Sequence, residues 1–354
     1  MPYLLNLLKV SLFTLLFTQS GYALNPTPSK DIVDIHTHIA CVDEKNNGCY
    51  VSPRMIKNIR FRYYLKSLGI TKSDLQNNTA DQKMIKNLVN LVKESKRLKK
   101  VVILALDGVV DKMGRLDFDK TEIYIPNDYI YKISKNNSTL LPGASINPYR
   151  KDALERLDKA YQNGAKLIKW LPNTMHINPS DKKLIPFYEK LKSFDLPLLT
   201  HTGFEHSFSH SDNTLGDPAL LELPLSLGVK VIAAHFGTGG KNGKESNFKR
   251  ILPLFKKYPH LYGDISGLTL LTKLGAIKKI LKHSNLHDRI LYGSDYPLLT
   301  FPVTSPLYHI FKIKPSELRA LFKIKNRFDR DIALKEMLGV PIKAMQRSVN
   351  FLKL

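Results

Sequence analysis

The stretch DIVDIHTH (31–38) sets two histidines one residue apart, just where a short apolar run ends. Ile32, Val33 and Ile35 are β-branched, and the run has the length of a buried strand. On a strand, residues i and i+2 face the same way, so His36 and His38 project together. Two imidazoles on one face can grip a metal; they can equally be ordinary surface histidines. What the rest of the chain places beside them decides between these readings.

Seven further segments resemble this one. They are VVILALD (101–107), LLPGASI (140–146), AKLIKWL (165–171), LPLLTH (196–201), VKVIAAH (229–235), HLYGDIS (260–266) and RILYGSD (289–295). Most are near-continuous apolar runs, the pattern of parallel strands covered on both sides. Amphipathic stretches such as KDALERLDKAYQNG (151–164) and KLIPFYEKLKSFD (183–195) lie between them, with Gly164 at a helix stop. Eight strands with intervening helices predict an α/β fold, a TIM-type (β/α)8 barrel spanning 31–354. A doubly wound open sheet competes, but no strand is followed by GxGxxG. Residues 52–98 are too long for one crossover and predict a helical excursion or lid after the first strand. From about Ser316 the chain predicts helices outside the barrel.

The chain of 354 residues has a net charge of +23, from 54 Lys+Arg against 31 Asp+Glu. These charges are scattered, and the densest cluster, KESKRLKK (93–100), reads as the polar face of a helix. Nucleic-acid binding calls for a concentrated basic surface with groove-reading or aromatic elements, so nucleic acid is not an expected partner. A basic proteome or an anionic cell-envelope setting accounts for the excess. At the N-terminus, Lys9 precedes an uncharged apolar core, Val10 to Phe17, and a polar stretch ends in Gly21-Tyr22-Ala23. That is the anatomy of a signal peptide over 1–23, cleaved after Ala23, and predicts a secreted or periplasmic protein. An uncleaved anchor is the competing reading, although Lys9 leaves the apolar run short for spanning. No cysteine stands at the cut for lipidation, and no membrane span is expected after cleavage. In an exported protein the two cysteines, Cys41 and Cys49, could pair across the loop after the first strand or stay apart, and their spacing alone leaves both open.

The polar residues collect at the strand ends. His36 and His38 end the first strand, Lys169 lies late in the fourth, His201 ends the fifth, His235 the sixth and Asp295 the eighth. In such a barrel the C-terminal rim carries the active site. Five metal-capable side chains from four strands therefore predict one metal site, and imidazole with carboxylate donors suits Zn²⁺, with Mn²⁺ or Fe²⁺ as substitutes.

The set DIHTH, LLTHTG, IAAHFG and LYGSDYP resembles the amidohydrolase superfamily, in its amidohydrolase-related branch, over about residues 31–340. NRFDRDIALKEMLGVP (326–341) is similar to the C-terminal helix of such proteins. The resemblance implies metal ligation by His36, His38, His201 and Asp295, with His235 catalytic or on a second metal. A divalent ion with an open position lowers the pKa of bound water to about 7. Asp295 would accept the proton of that water, and His235 would polarise the electrophile or stabilise oxyanion charge. The expected activity is hydrolysis of an amide, lactone or ester in a small-molecule substrate. A non-oxidative decarboxylase of the same branch and a non-catalytic envelope barrel are the alternatives.

Lys169 bears on metal count. Carbamylated, it would bridge two metals; as an ammonium it would orient an anionic substrate beside one, and one ion is the favoured expectation. Asn173 and His176 follow on the loop after strand four and are expected to line the substrate pocket. Asp181, Glu205, His206 and His210 read as loop residues or pocket contacts, and Asp264 as a structural acceptor or a site member.

Overall fold

The computed structural model describes residues 30–354; the expected signal peptide (1–23) lies outside them. Eight parallel strands follow one another in chain order around a single sheet: β1 Ile32–His38, β2 Leu98–Leu104, β3 Leu140–Ser145, β4 Ile168–Trp170, β5 Leu198–Thr200, β6 Val231–Ala233, β7 Leu261–Asp264 and β8 Ile290–Leu291. The ring closes between β8 and β1. Ile35 N donates to Tyr292 O (3.1 Å), and His38 N donates to Tyr296 O (2.9 Å). Asp34, fully buried, strengthens the seam, its Oδ1 accepting from His36 N (2.9 Å) and Ser294 N (3.0 Å). Burial pushes this carboxyl up to about 7 despite those bonds. The expected TIM-type barrel is the observed fold.

Alternation along the strands sorts the apolar residues into two layers. Val33, Ile35, Val102, Leu104, Leu167, Leu199, Ile232 and Leu291 form a cluster of their own together with Leu352 from the chain end. The other set, including Ile32, Val101, Ile103, Ile168, Leu198 and Val231, meets the surrounding helices. The helix Asn247–Lys257 shows how the covering layer is written. Ser246 caps it by accepting from Lys249 N, and Phe248, Ile251, Leu254 and Phe255 bury one face. The expected stop at Gly164 is also present: the helix Ala153–Gln162 ends just before it, and Gly164 takes φ +72.

The segment after β1 folds as Pro53–Lys57, Ile59–Ser67, Lys72–Gln76 and Ala80–Glu94, the expected helical excursion. Cys41 and Cys49 are joined as a disulfide, with Cα atoms 5.7 Å apart. Asp81 holds the same loop, accepting from Val42 N (2.9 Å) and Asn47 Nδ2 (2.8 Å). The C-terminal helices are Pro315–Lys323, Arg327–Met337 and Ile342–Phe351. The last does more than lie outside the barrel. It packs on β1 and β8, Ser348 Oγ accepts from Tyr292 N (3.2 Å), and Leu352 joins the cluster of inward-facing strand residues.

Two expectations need correction. KESKRLKK is not one helical face: Lys93 and Glu94 end a helix, and Leu98–Lys100 open β2. The switch is made at Ser95, whose Oγ accepts from Leu98 N (2.8 Å) and Arg97 N (3.2 Å), while Leu98 is wholly buried and Lys99 exposed. His201, His235 and Asp295 lie one, two and four residues beyond the ends of their strands at Thr200, Ala233 and Leu291, and the last two take left-handed backbone (φ 58 and 65). Among the described residues no helix is long and apolar enough to cross a membrane.

Candidate active site at the barrel mouth

β1 brings His36 and His38 to the mouth, and the turn after β8 brings Asp295. His36 Nε2 lies 3.2 Å from His38 Nε2 and 3.7 Å from Asp295 Oδ1, and His38 Nε2 lies 3.4 Å from the same oxygen. Donors about 2.0–2.1 Å from one tetrahedral ion stand roughly 3.4 Å apart, so this triangle fits a single divalent metal. Two glycines make room for it. A Cβ on Gly293 would come 2.8 Å from His36 Cβ, and one on Gly267 would come 2.7 Å from Asp295 Oδ2. Asp295 N also donates to His36 O (3.0 Å), which fixes one ligand-bearing segment to the other.

Asp264, at the end of β7, orients the site from beneath. Its Oδ2 accepts from His36 Nδ1 (2.7 Å), and its Oδ1 accepts from His235 N (2.9 Å) and Ser266 N (3.1 Å). Burial alone would raise this carboxyl, but the His36 and His235 contacts outweigh it and hold the group ionised. A proton on His36 Nδ1 leaves the Nε2 lone pair facing the mouth, the state a metal ligand requires. His235 is fixed in the same way. Its Nδ1 donates to Ser266 O (2.7 Å), so its Nε2 is an acceptor in the neutral ring. Burial keeps both rings neutral, taking His36 down to about 4, with the Lys169 ammonium acting in the same direction, and His235 well below its ordinary value.

His201 follows β5. It is buried, and its Nε2 has no hydrogen-bond partner among the described residues. Its ring lies 5.2 Å from that of His235, which in turn lies 5.4 Å from that of His36. An unpaired buried imidazole nitrogen beside the cluster is a donor free to bind a metal. Burial brings His201 down to about 4, against the charge of Glu205.

Lys169 on β4 is 1% exposed, and its Nζ donates to His36 Nε2 at 2.9 Å. Burial lowers this ammonium to about 8, opposed by Asp264, Asp295 and Glu205. Asp295 shows the reverse balance. Burial would raise it, yet its hydrogen bond with His38 and the polar field of the surrounding imidazoles carry it well below the ordinary carboxylate range.

The loop residues separate by position. Asn173 is fully buried; its Nδ2 donates to Gly203 O (3.1 Å) and Asn213 Oδ1 (2.8 Å), bracing the loop after β5, while its Oδ1 is unpaired among the described residues. His176 is exposed at the left-handed cap of the short helix Pro172–Met175. Asp181 caps a 3-10 turn and accepts from Tyr149 (3.0 Å), His206 is exposed, and His210 contacts Arg54 of the excursion. Two mouth residues escaped the sequence reading. Tyr64, on the excursion helix Ile59–Ser67, and Lys273, after β7, both feel the charges of Asp295 and Glu205. Both side chains are half-buried, desolvation raises the first and lowers the second, and no local motif marks either. Ser266, linked to Asp264, His36 and His235, sits at i+2 from Asp264, and that spacing was its only signal.

The site's fold has known counterparts. An uncharacterized TIM-barrel protein from Bordetella bronchiseptica is 18% identical, aligned over 86% of this chain and 99% of its own, with a TM-score of 0.52. A 5-carboxyvanillate decarboxylase from Novosphingobium aromaticivorans, solved with bound manganese, is 11% identical over 93% of this chain and all of its own, with a TM-score of 0.51. No curated protein sequence matches the chain. The family model described as Amidohydrolase matches residues 104–323, more than half of the chain and the part that holds Lys169, His201, His235 and Asp295. This protein therefore belongs to the amidohydrolase family of metal-dependent enzymes.

Proposed function

We propose that this protein is an exported hydrolase that uses one divalent metal, Zn²⁺ by its donor set, to cleave an amide, lactone or ester in a small molecule. The observation that carries the reading is the triangle of His36, His38 and Asp295 donors, with the unpaired His201 Nε2 nearby. These four residues would hold the ion, which when bound acidifies water and polarises a carbonyl. The remaining work falls to the chain. Asp295, held ionised, takes a proton from the attacking water and returns it to the leaving group. His235 presents an acceptor Nε2 to that water and becomes an oxyanion donor only once protonated. Asp264 and Ser266 keep both imidazoles in their working tautomers. Lys169 stays an ammonium and orients an anionic group of the substrate, and Asn173 and His176 border the pocket.

A second reading, non-oxidative decarboxylation, is favoured by one observation: two lysines, Lys169 and Lys273, feel the same acidic centre and would receive a substrate carboxylate. Elemental analysis of the purified protein, followed by a screen of lactones, esters, amides and aromatic carboxylates with carbon dioxide detection, tests both. Hydrolysis products without carbon dioxide support the first reading. Carbon dioxide release supports the second. Metal-loaded protein inert on every class would return the molecule to a non-catalytic envelope role.

A further inference from the structure

A cleft of about 140 Å³ lies apart from the histidine cluster, between the loop that follows β8 and the helix Arg327–Met337. None of the metal-capable residues lines it. Its apolar walls are Leu299, Phe301, Phe322 and Leu334, and its polar wall is Arg327 and Arg330. The two guanidiniums stand one helical turn apart on one helix, and burial together with the Arg327 charge lowers Arg330. The hydrogen bonds they make among the described residues are single ones to backbone carbonyls. Arg327 Nη1 donates to Ser67 O (2.6 Å), and Arg330 Nη1 donates to Ile324 O at 3.4 Å, a long and weak bond.

The one carboxylate in the wall, Asp331, feels Arg330 by charge but bonds to neither arginine. Asp331 accepts from Lys335 Nζ (2.6 Å), Tyr292 (2.9 Å) and Thr269 (3.2 Å), so its charge is matched by a buried lysine. The cleft is left with two positive charges. Ser305 in the same wall accepts from Leu307 N (3.3 Å), which leaves its hydroxyl proton to donate. Two forked cations and a hydroxyl against aromatic and aliphatic walls describe a receptor for a group with one anionic end and one apolar body. Size narrows the body, since a void of roughly 150 Å³ holds a benzene ring.

The geometry points to a second binding site, in which Arg327 and Arg330 hold the carboxylate of a small aromatic or branched aliphatic monocarboxylic acid and Phe301, Phe322, Leu299 and Leu334 enclose its apolar part. Inorganic phosphate offers the charge without the body and is the poorer ligand. This inference does not depend on the reaction at the barrel mouth.

Benzoate is the probe, titrated calorimetrically into the full chain after metal removal, so that binding to an active-site ion does not enter. The expected result is saturable binding that weakens at least about tenfold in Arg330→Gln, the loss of one charge-assisted bond. It should weaken likewise in Phe322→Asp, which sets a like charge on a half-exposed wall residue and keeps the assay decisive if the arginine variant folds poorly. Arg319→Gln, an exposed arginine outside the lining, and His38→Ala should bind as the parent does. No saturation, binding unchanged in both cleft variants, or loss in His38→Ala would overturn the site. Phosphate binding as tightly as benzoate would overturn the ligand class.

Discussion

Asp295 carries the largest single expectation. Its carboxylate sits 3.4 Å from His38 Nε2 and is kept ionised by the imidazoles around it, although it is buried. Asp295→Asn keeps shape and loses the proton acceptor, so turnover should fall roughly 10²–10⁴-fold with the fold intact by circular dichroism. Near-parental turnover with metal retained would assign the base elsewhere. Asp264 acts one step back, through His36 Nδ1 and His235 N. Asp264→Asn should weaken metal binding about 10–100-fold, read by competition with a chromogenic chelator. An unchanged affinity would reduce Asp264 to a structural acceptor. Lys169 separates one-ion from two-ion chemistry, since an ammonium beside a divalent cation is repelled whereas a carbamate would bridge two. One equivalent of metal in both the parent and Lys169→Ala, with KM raised in the variant, is the expected outcome. Two equivalents falling to one or none would reverse it.

Short strands and long loops divide the labour among the elements. β4, β5 and β6 have only three residues each, enough to set the ring; β4 carries Lys169 itself, while His201 and His235 stand just beyond β5 and β6. Those loops need their own anchors. Arg150, after β3, grips Asp107, after β2, through Nε (2.7 Å) and Nη2 (2.5 Å), with both side chains buried, and Asn147 N adds a third bond to the carboxylate (2.8 Å). Replacing Arg150 by methionine leaves a buried carboxylate without its cation. The cost should be ~3–5 kcal/mol in urea unfolding, and the double variant Arg150→Met/Asp107→Leu should recover much of it. A loss below ~1 kcal/mol would show that water reaches Asp107. The disulfide and Asp81 serve the loop after β1 in the same capacity, holding the start of the excursion that carries Tyr64 to the mouth.

For the whole molecule, the mouth gathers what distant segments supply, so metal occupancy and global stability should be linked. Four expected ligands, on β1 and just beyond β5 and β8, tie one side of the barrel to the other only when the chain is folded. Metal at a hundredfold excess over its Kd should add about 2.7 kcal/mol to the folded state. That corresponds to a Tm several degrees above that of chelator-treated protein in a differential scan, with no gain in His38→Ala. Identical melting of treated and reloaded protein would argue against a site that bridges the barrel. The closing helix Ile342–Phe351 works at the same scale from below, since Leu352 completes the inward-facing cluster that most of the strands share.

Eight apolar runs, five of them with a polar residue able to bind or react at or near their ends, were readable along the chain because burial on both faces demands continuous hydrophobicity and parallel order places the strand ends on one rim. The i, i+2 spacing of His36 and His38 likewise predicts their common direction, since it follows from strand geometry alone. Two things lay outside such local rules. The strands stop two and four residues short of His235 and Asp295, which take left-handed backbone, whereas the apolar pattern alone runs on to both. The partners that set each group's state, Asp264 under His36, Ser266 O under His235 and Lys169 against His36 Nε2, come from as far as 228 positions away. Periodicity reports which way a side chain points; only the closure of the barrel brings these groups within hydrogen-bond range and out of water, and that joint burial sets their charges.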